Sequence, residues 1–230
     1  MRRSLILVLA LGLFAPATGY AQQQLVNFSL GGFVPRSEDA RVRGDVLVEN
    51  LDFLAFNLKD FHTGTFGAEW EFPLNEFVHA GLGLGFMTKS VPSVYAGFVQ
   101  DDRTEIEQNL KLRVVPLTAT VRFLPLGQKA AVQPYLGAGI GIFAWRYSET
   151  GEFIDFASGG EVFRDTFSDS GATAGPVIFG GLAFPVGTWS IGGEVKYQSA
   201  QGELDRNQLF AGDKIDLGGL SYSAVFKVKF

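Results

Sequence analysis

At the end of the chain Leu220, Tyr222, Ala224, Phe226, Val228 and Phe230 take every second position, with Ser221, Ser223, Lys227 and Lys229 between them. A period of two puts successive side chains on opposite faces of a strand. This segment therefore has one apolar face, closed by an aromatic, and one mostly polar face. The same pattern recurs upstream. Val78, Ala80, Leu82, Leu84 and Phe86 alternate with His79, Gly81, Gly83 and Gly85. Further on, Leu136, Ala138, Ile140, Ile142 and Ala144 alternate with Tyr135, Gly137, Gly139, Gly141, Phe143 and Trp145.

Eight stretches carry strand character: Leu25–Val34, Phe61–Phe72, Phe77–Lys89, Asn109–Leu124, Gln133–Tyr147, a sixth from residue 173 to the turn at Pro185, Trp189–Ser199, and the C-terminal run. The connections alternate. Long polar ones (Pro35–Asp60, Ser90–Gln108, Ser148–Ala172, Ala200–Asp216) are interleaved with short ones beginning at Pro73, Pro125 and Pro185. Four long loops and three short turns predict an all-β, eight-stranded antiparallel transmembrane barrel in an up-and-down meander, with both chain ends on the side of the short turns. The uncharged run Gly171–Gly193 is not a membrane helix, because Pro176, Pro185 and repeated glycines would break it.

The faces opposite the apolar bands carry charge: Glu69, Glu71, Arg122, Glu194, Lys196, Lys227 and Lys229. A soluble core seldom buries such a set, whereas a membrane barrel keeps polar groups inside. These seven are expected to pair across the lumen, since an isolated buried charge costs several kcal/mol. They form either a structural plug or a polar permeation path; Arg122 and Lys229, near the strand ends, are expected to reach water. The inward glycine rows suit a narrow eight-stranded interior. Trp70, Phe72, Phe123, Phe184, Trp189 and Phe230 fit an interfacial girdle. A secreted lipocalin-like barrel, with its apolar face inward, is the structural alternative.

Arg2 and Arg3 precede the apolar run from Ser4 to Phe14 and the small-residue stretch from Ala15 to Ala21, the form of a secretory signal peptide over residues 1–21. Residues 22–230 are then one barrel domain. Loss of the two arginines takes the formal net charge from −5 to −7, which gives no reason to expect a nucleic-acid partner. The chain holds no Cys, so neither a disulfide framework nor a lipid-anchoring cysteine is expected.

Val114-Val-Pro-Leu-Thr-Ala-Thr-Val-Arg-Phe-Leu-Pro125 and Gln133-Pro-Tyr-Leu-Gly-Ala-Gly-Ile140, together with Phe230, resemble the small outer-membrane barrels of the OmpA, OmpX and OmpW type. The likeness is greatest to the OmpW-like group, in Pro116-Leu-Thr118 and Pro134-Tyr-Leu-Gly-Ala-Gly139, although Gly141-Ile-Phe stands where Asn-Tyr commonly follows. The resemblance implies a monomer in a bacterial outer membrane. Lipid and lipopolysaccharide, barrel-assembly machinery and periplasmic chaperones are the implied partners. Tyr222, Phe226, Val228 and Phe230 are the implied C-terminal assembly signal. From the OmpW-like group comes the expectation of a small hydrophobic ligand.

Chemistry is sparsely provided for. His62 and His79 are the only histidines, and the residues two beyond them are Gly64 and Gly81, not the serine of a lipid A deacylase motif. His62 has Thr63 and Thr65 nearby but no nameable nucleophile or carboxylate partner. Two histidines and no cysteine give no zinc spacing, and the acidic runs Asp101–Glu107 and Glu149–Asp155 read as solvated loops. No catalytic, cofactor or metal residue is expected. The first long loop is unusually apolar from Asp45 to Leu58; it extends the first hairpin, packs into the mouth as a lid, or binds a hydrophobic ligand, with extension the default. The expected role is non-enzymatic, in envelope integrity or surface interaction. A narrow or laterally opening conduit for small apolar molecules is the alternative, and a lipid-modifying enzyme a distant third.

Overall fold

Eight strands follow one another in the computed structural model, which describes residues 24–100, 102–156 and 159–230: β1 Leu25–Pro35, β2 Thr63–Pro73, β3 Val78–Val99, β4 Glu105–Phe123, β5 Gln133–Asp155, β6 Glu161–Val186, β7 Trp189–Gln198 and β8 Gly219–Lys229. The leader assigned to residues 1–21 lies outside the described residues. Each strand pairs antiparallel with the next. The ring closes where β8 meets β1, from Leu25 opposite Lys229 to Pro35 opposite Gly219. The closed meander is the predicted fold.

The apolar faces point outward. Leu30, Leu84, Leu136, Ile140 and Ile191 are all more than half exposed, as are many of their neighbours around the ring. An exposed band of this extent marks contact with lipid rather than water, which excludes the lipocalin-like alternative with its apolar interior. Trp70, Phe123, Phe184, Trp189 and Phe230 are exposed at the end of the short turns, as a girdle requires, and Phe72 is half-buried. The tightest turn, after Val186, places Gly187 at a φ of +66°, a conformation that a residue without Cβ adopts at no steric cost.

Polarity inverts partway along the strands. In the lower half of β4, near the short turns, Thr118, Thr120 and Arg122 are buried inward while Leu117, Val121 and Phe123 face out. In its upper half Ile106, Leu110 and Val114 are buried inward, while Lys111 and Arg113 face out. Strand β5 inverts at the same level, from Ile140 and Ile142 outside to Arg146 outside with Trp145 and Tyr147 inside. The barrel thus continues beyond the lipid band, on β5 by roughly 35 Å measured along the strand from Ala144 to Asp155.

This continuation corrects two of the predicted loops. Ser90–Gln108 and Ser148–Ala172 are mostly strand: β5 and β6 stay paired up to Asp155 opposite Glu161, and β3 and β4 up to Val99 opposite Glu105, past a bulge between Val94 and Val99. Polar residues on the outer face had the look of loop because water, not lipid, surrounds them. Ala200–Asp216 likewise contains a two-stranded ribbon, Gln201–Glu203 with Lys214–Asp216.

The apolar first loop does not extend the hairpin; it enters the mouth. A short helix over Val46–Glu49, capped by the Asp45 carboxylate, is followed by 3-10 turns at Asn50–Asp52 and Leu58–Phe61. Val46, Leu47, Leu54, Leu58 and Phe61 pack with Val91, Leu110, Phe143, Trp145 and Tyr147 of the wall and with Leu204, Ile215 and Leu217 of the last loop. Five large apolar side chains on a segment with no sheet partner along most of its length are better buried than held open in water, at about 1.5–3 kcal/mol each.

A buried latch holds the lid. Arg41 makes a two-point pair with Asp45, both bonds at 3.0 Å, and donates to the Asp216 carbonyl at 2.9 Å. The Asp216 amide donates to Asp45 at 2.5 Å. The Asp216 carboxylate accepts from Arg36 and from the Val42 amide, both at 3.1 Å, and Arg36 reaches the Tyr197 hydroxyl on β7 at 2.6 Å. Asp45→Ala removes the helix cap and leaves Arg41 buried without its carboxylate, a loss of about 3–5 kcal/mol. Protease cleavage within residues 36–62 of the folded protein should then rise about a hundredfold or more; an unchanged cleavage rate would show that the latch does not hold the lid.

Candidate functional site

The lower lumen is filled by a cluster built around Arg122, which is 2 % exposed. Its Nη2 lies 2.8 Å from Glu69 Oε2 and 3.2 Å from Glu194 Oε2, and its Nη1 bonds to Glu71 Oε1. Lys227 Nζ sits 2.8 Å from the same Glu71 oxygen and Lys196 Nζ 3.2 Å from Glu194 Oε1. His79 Nδ1 lies 3.3 Å from Glu71 Oε2. Three carboxylates thus face three cations drawn from β2, β4, β7 and β8. The Arg122 guanidinium also lies over the Tyr135 ring at 4.4 Å and near Phe179 at 5.1 Å, and the Tyr135 hydroxyl donates to Glu194 at 3.2 Å.

Six of the seven residues assigned to the lumen network meet here. Arg122 does not reach water at the barrel end; it is the centre of the cluster, because two strands, β2 and β7, aim three carboxylates at it. Lys229 makes no ion pair among the described residues and is half-buried at the rim. His79 and Tyr135 were missed as members. The available signal was their position at the lower ends of β3 and β5, each two residues before an inward glycine.

Glycine makes the room. A Cβ on Gly81 would stand 2.5 Å from Glu69 Oε1 and 2.7 Å from the Thr120 hydroxyl, which itself donates to that oxygen at 2.7 Å. Above the cluster lies a cavity of about 60 Å³ with a mixed lining, Asn27, Ser29, Thr118 and Lys196 on one hand and Leu84 and Pro116 on the other. Met87 and Val177, which line it as well, belong to the apolar core that the lid packs into.

Where the lid meets the wall, outside the lipid band, Glu149 accepts from Asn50 at 2.7 Å and from Tyr147 at 2.8 Å. Burial pushes the Glu149 carboxyl above the usual carboxylate range, and these two bonds only partly oppose that. No metal-binding group of three or more His, Cys, Asp or Glu occurs among the described residues. His62 is exposed, and the hydroxyls beside it are already engaged, Thr63 with the Thr88 carbonyl at 2.7 Å and Thr65 with that of Phe86 at 3.3 Å. Tyr222, Phe226 and Phe230 are exposed on the lipid face, with Val228 half-buried beside them.

Arg122→Met would leave Glu69, Glu71 and Glu194 facing one another without their shared cation. The expected cost is about 3–5 kcal/mol, measured as a lower temperature at which the folded band converts to the unfolded one on a gel; an unmoved transition would mean that the cluster does not stabilise the barrel. For Glu149 the raised pKa means that its contribution is complete below the unfolded carboxylate pKa and is lost as pH rises through the folded one. Protease resistance of the lid should therefore fall as pH rises above the ordinary carboxylate range. Glu149→Gln keeps both bonds to its side-chain oxygen, and in that variant the fall should shrink.

No protein-family model matches the chain, and no curated protein matches it by sequence. Solved structures share the fold. The outer membrane protein OprG from Pseudomonas aeruginosa superposes with a TM-score of 0.52 at 13 % identity, over 91 % of this chain and 96 % of that one. Neisserial surface protein A gives 0.46 at 11 % identity, over 90 % and 97 %. Escherichia coli outer membrane protein W gives 0.38 at 12 %, over 92 % and 100 %. With its closed ring of eight antiparallel strands and its exposed apolar band, the chain has the fold of the small outer-membrane barrels of the OmpA, OmpX and OmpW type.

Proposed function

We propose that this protein is a non-enzymatic, monomeric barrel of the bacterial outer membrane that contributes to envelope integrity and surface interaction rather than to conduction. The observation that carries the reading is the double closure of the lumen. A charge-balanced cluster fills the membrane half, and an apolar lid held by a buried latch fills the half above. An ion crossing the lower level would have to displace groups that already satisfy one another, at several kcal/mol per uncompensated charge. The part that rises above the lipid is a rigid stump of paired strands, suited to present a surface.

Catalysis has little support, since the hydroxyls beside the exposed His62 already donate to backbone carbonyls and, among the described residues, no hydrogen bond or ion pair joins its ring to a carboxylate. Assembly machinery and periplasmic chaperones remain the expected partners in biogenesis, with the lipid-facing Tyr222, Phe226, Val228 and Phe230 as the signal. Protein refolded into planar bilayers should be electrically silent, and removal of residues 45–58 should leave it silent, because the Arg122 cluster still fills the lumen. Discrete channel steps from the intact protein would overturn the closed reading.

One observation favours a lateral conduit as a second reading. Pro116 has no N–H to offer, and the β3–β4 pairing lapses at Gly85 and Phe86, between Leu84 opposite Leu117 and Met87 opposite Val114, with the register unchanged on either side. The cavity lies against this gap in the pairing, and Gly85, Phe66 and Leu84 are among its lining residues. If the seam is a route, a disulfide engineered between Phe86→Cys and Val115→Cys should stop transfer of a fluorescent apolar probe into proteoliposomes. Equal transfer with and without reductant would remove it.

A further inference from the structure

Lys111 and Arg113 on β4 and Arg146 on β5 are all exposed on the outer face, immediately above the last lipid-facing residues of their strands, Val115 and Ala144. The register puts Arg113 directly opposite Arg146. Side chains so placed have Cβ atoms about 4.5–5.5 Å apart, and diagonal neighbours such as Lys111 and Arg146 lie about 7–8 Å apart. Like charges opposed in this way destabilise a sheet pair. Among the described residues none of the three has a carboxylate partner; the one side-chain bond is from Arg146 to the Ser168 hydroxyl at 3.3 Å. On strand β4 the nearest acid on the same face is Glu107, four residues above Lys111 and so about 13 Å away. Hydroxyls surround the group instead: Thr88 opposite Arg113, and Ser170 opposite Arg146.

We infer that Lys111, Arg113 and Arg146 form a binding site for the anionic phosphomonoester headgroup of an outer-leaflet lipid, as distinct from a zwitterionic phosphodiester. The inference deepens the proposed outer-membrane reading and rests on it. Three cations in one small area, two of them guanidinium forks, match the charge and the oxygen geometry of a phosphate. An anion between Arg113 and Arg146 turns their repulsion into a shared contact. The source is a lipid rather than free phosphate because the patch continues downward without a break into Val115, Leu117, Ile142 and Ala144, against which acyl chains would lie. The height also fits, since the polarity of β4 and β5 inverts at this row, where headgroups meet hydrocarbon.

The test uses the full barrel in nanodiscs of phosphatidylcholine, with or without one-tenth bisphosphorylated lipid A, and reads the temperature of the folded-to-unfolded gel transition and the lipid A retained through purification. The wild type should be stabilised by several degrees and retain lipid A, whereas dephosphorylated lipid A and millimolar inorganic phosphate should do neither. The triple variant Lys111→Gln, Arg113→Gln, Arg146→Gln should lose the stabilisation and at least nine-tenths of the retention. In phosphatidylcholine alone it should be no less stable than the wild type, because it has lost a repulsion; a purely structural role would move that value down. Arg146→Gln alone serves if the triple variant does not fold, and should lose at least half of the retention. Equal stabilisation of wild type and variant, or an equal effect of dephosphorylated lipid A, overturns the site. A barrel that folds in water without detergent or bilayer would instead overturn the membrane reading on which it rests.

Discussion

Hydrocarbon offers no hydrogen bonds, so every N–H and C=O within the lipid band must be satisfied by the chain itself. The pairing of β8 with β1 meets that constraint, because it removes both open edges from the sheet. The rest of the architecture follows from it. A ring of eight strands encloses a space only wide enough for side chains, and with lipid outside, that space has to hold the polar residues. The interior is therefore a packing problem in charge. It is solved by three carboxylates, three cations and the glycines that leave them room.

The solution is reciprocal. Arg122 alone could not balance Glu69, Glu71 and Glu194, and Lys196 and Lys227 supply the remainder at the edges, each through a single carboxylate. Tyr135 and Phe179 wall the guanidinium with ring faces, which tolerate a cation where an aliphatic side chain would not. The Arg122 Nε and the His79 Nε2 have no partner among the described residues, so even a well-matched cluster leaves polar atoms unsatisfied. That is consistent with buried ion pairs contributing more to a defined arrangement than to net stability.

Much of this was legible in the alternation of residues. A period of two assigns faces without any knowledge of partners, so the inward placement of Glu69, Glu71, Glu194, Lys196 and Lys227 could be read directly. The partners could not. Which residues on different strands lie level depends on the stagger of the ring, and no single strand reveals that; Arg122 and Lys229 were both read as rim residues for this reason, and one of them is the centre. The latch was hidden for a related reason. Arg41 and Asp216 lie 175 positions apart, and only Asp45 ahead of Val46-Leu-Val-Glu49 carried a local mark, that of a helix N-cap. The upper strands were read as loops because the alternation there has changed sign.

That change of sign also determines how the barrel sits. A strand whose outward face runs from Phe123 through Leu117 to Arg113 and Lys111 is at rest only where the surroundings change from hydrocarbon to water between Leu117 and Arg113. Sliding the barrel inward by two residues would bring arginine into lipid, and sliding it outward would bring leucine into water, at a cost repeated on each neighbouring strand. The inner face obeys the opposite rule: below the boundary it must satisfy charges, and above it the barrel is an ordinary protein with an apolar core and a wet surface. The lid is that core's missing side. It is apolar because the wall it covers is apolar, and it ends where the outer face of the barrel has already become polar.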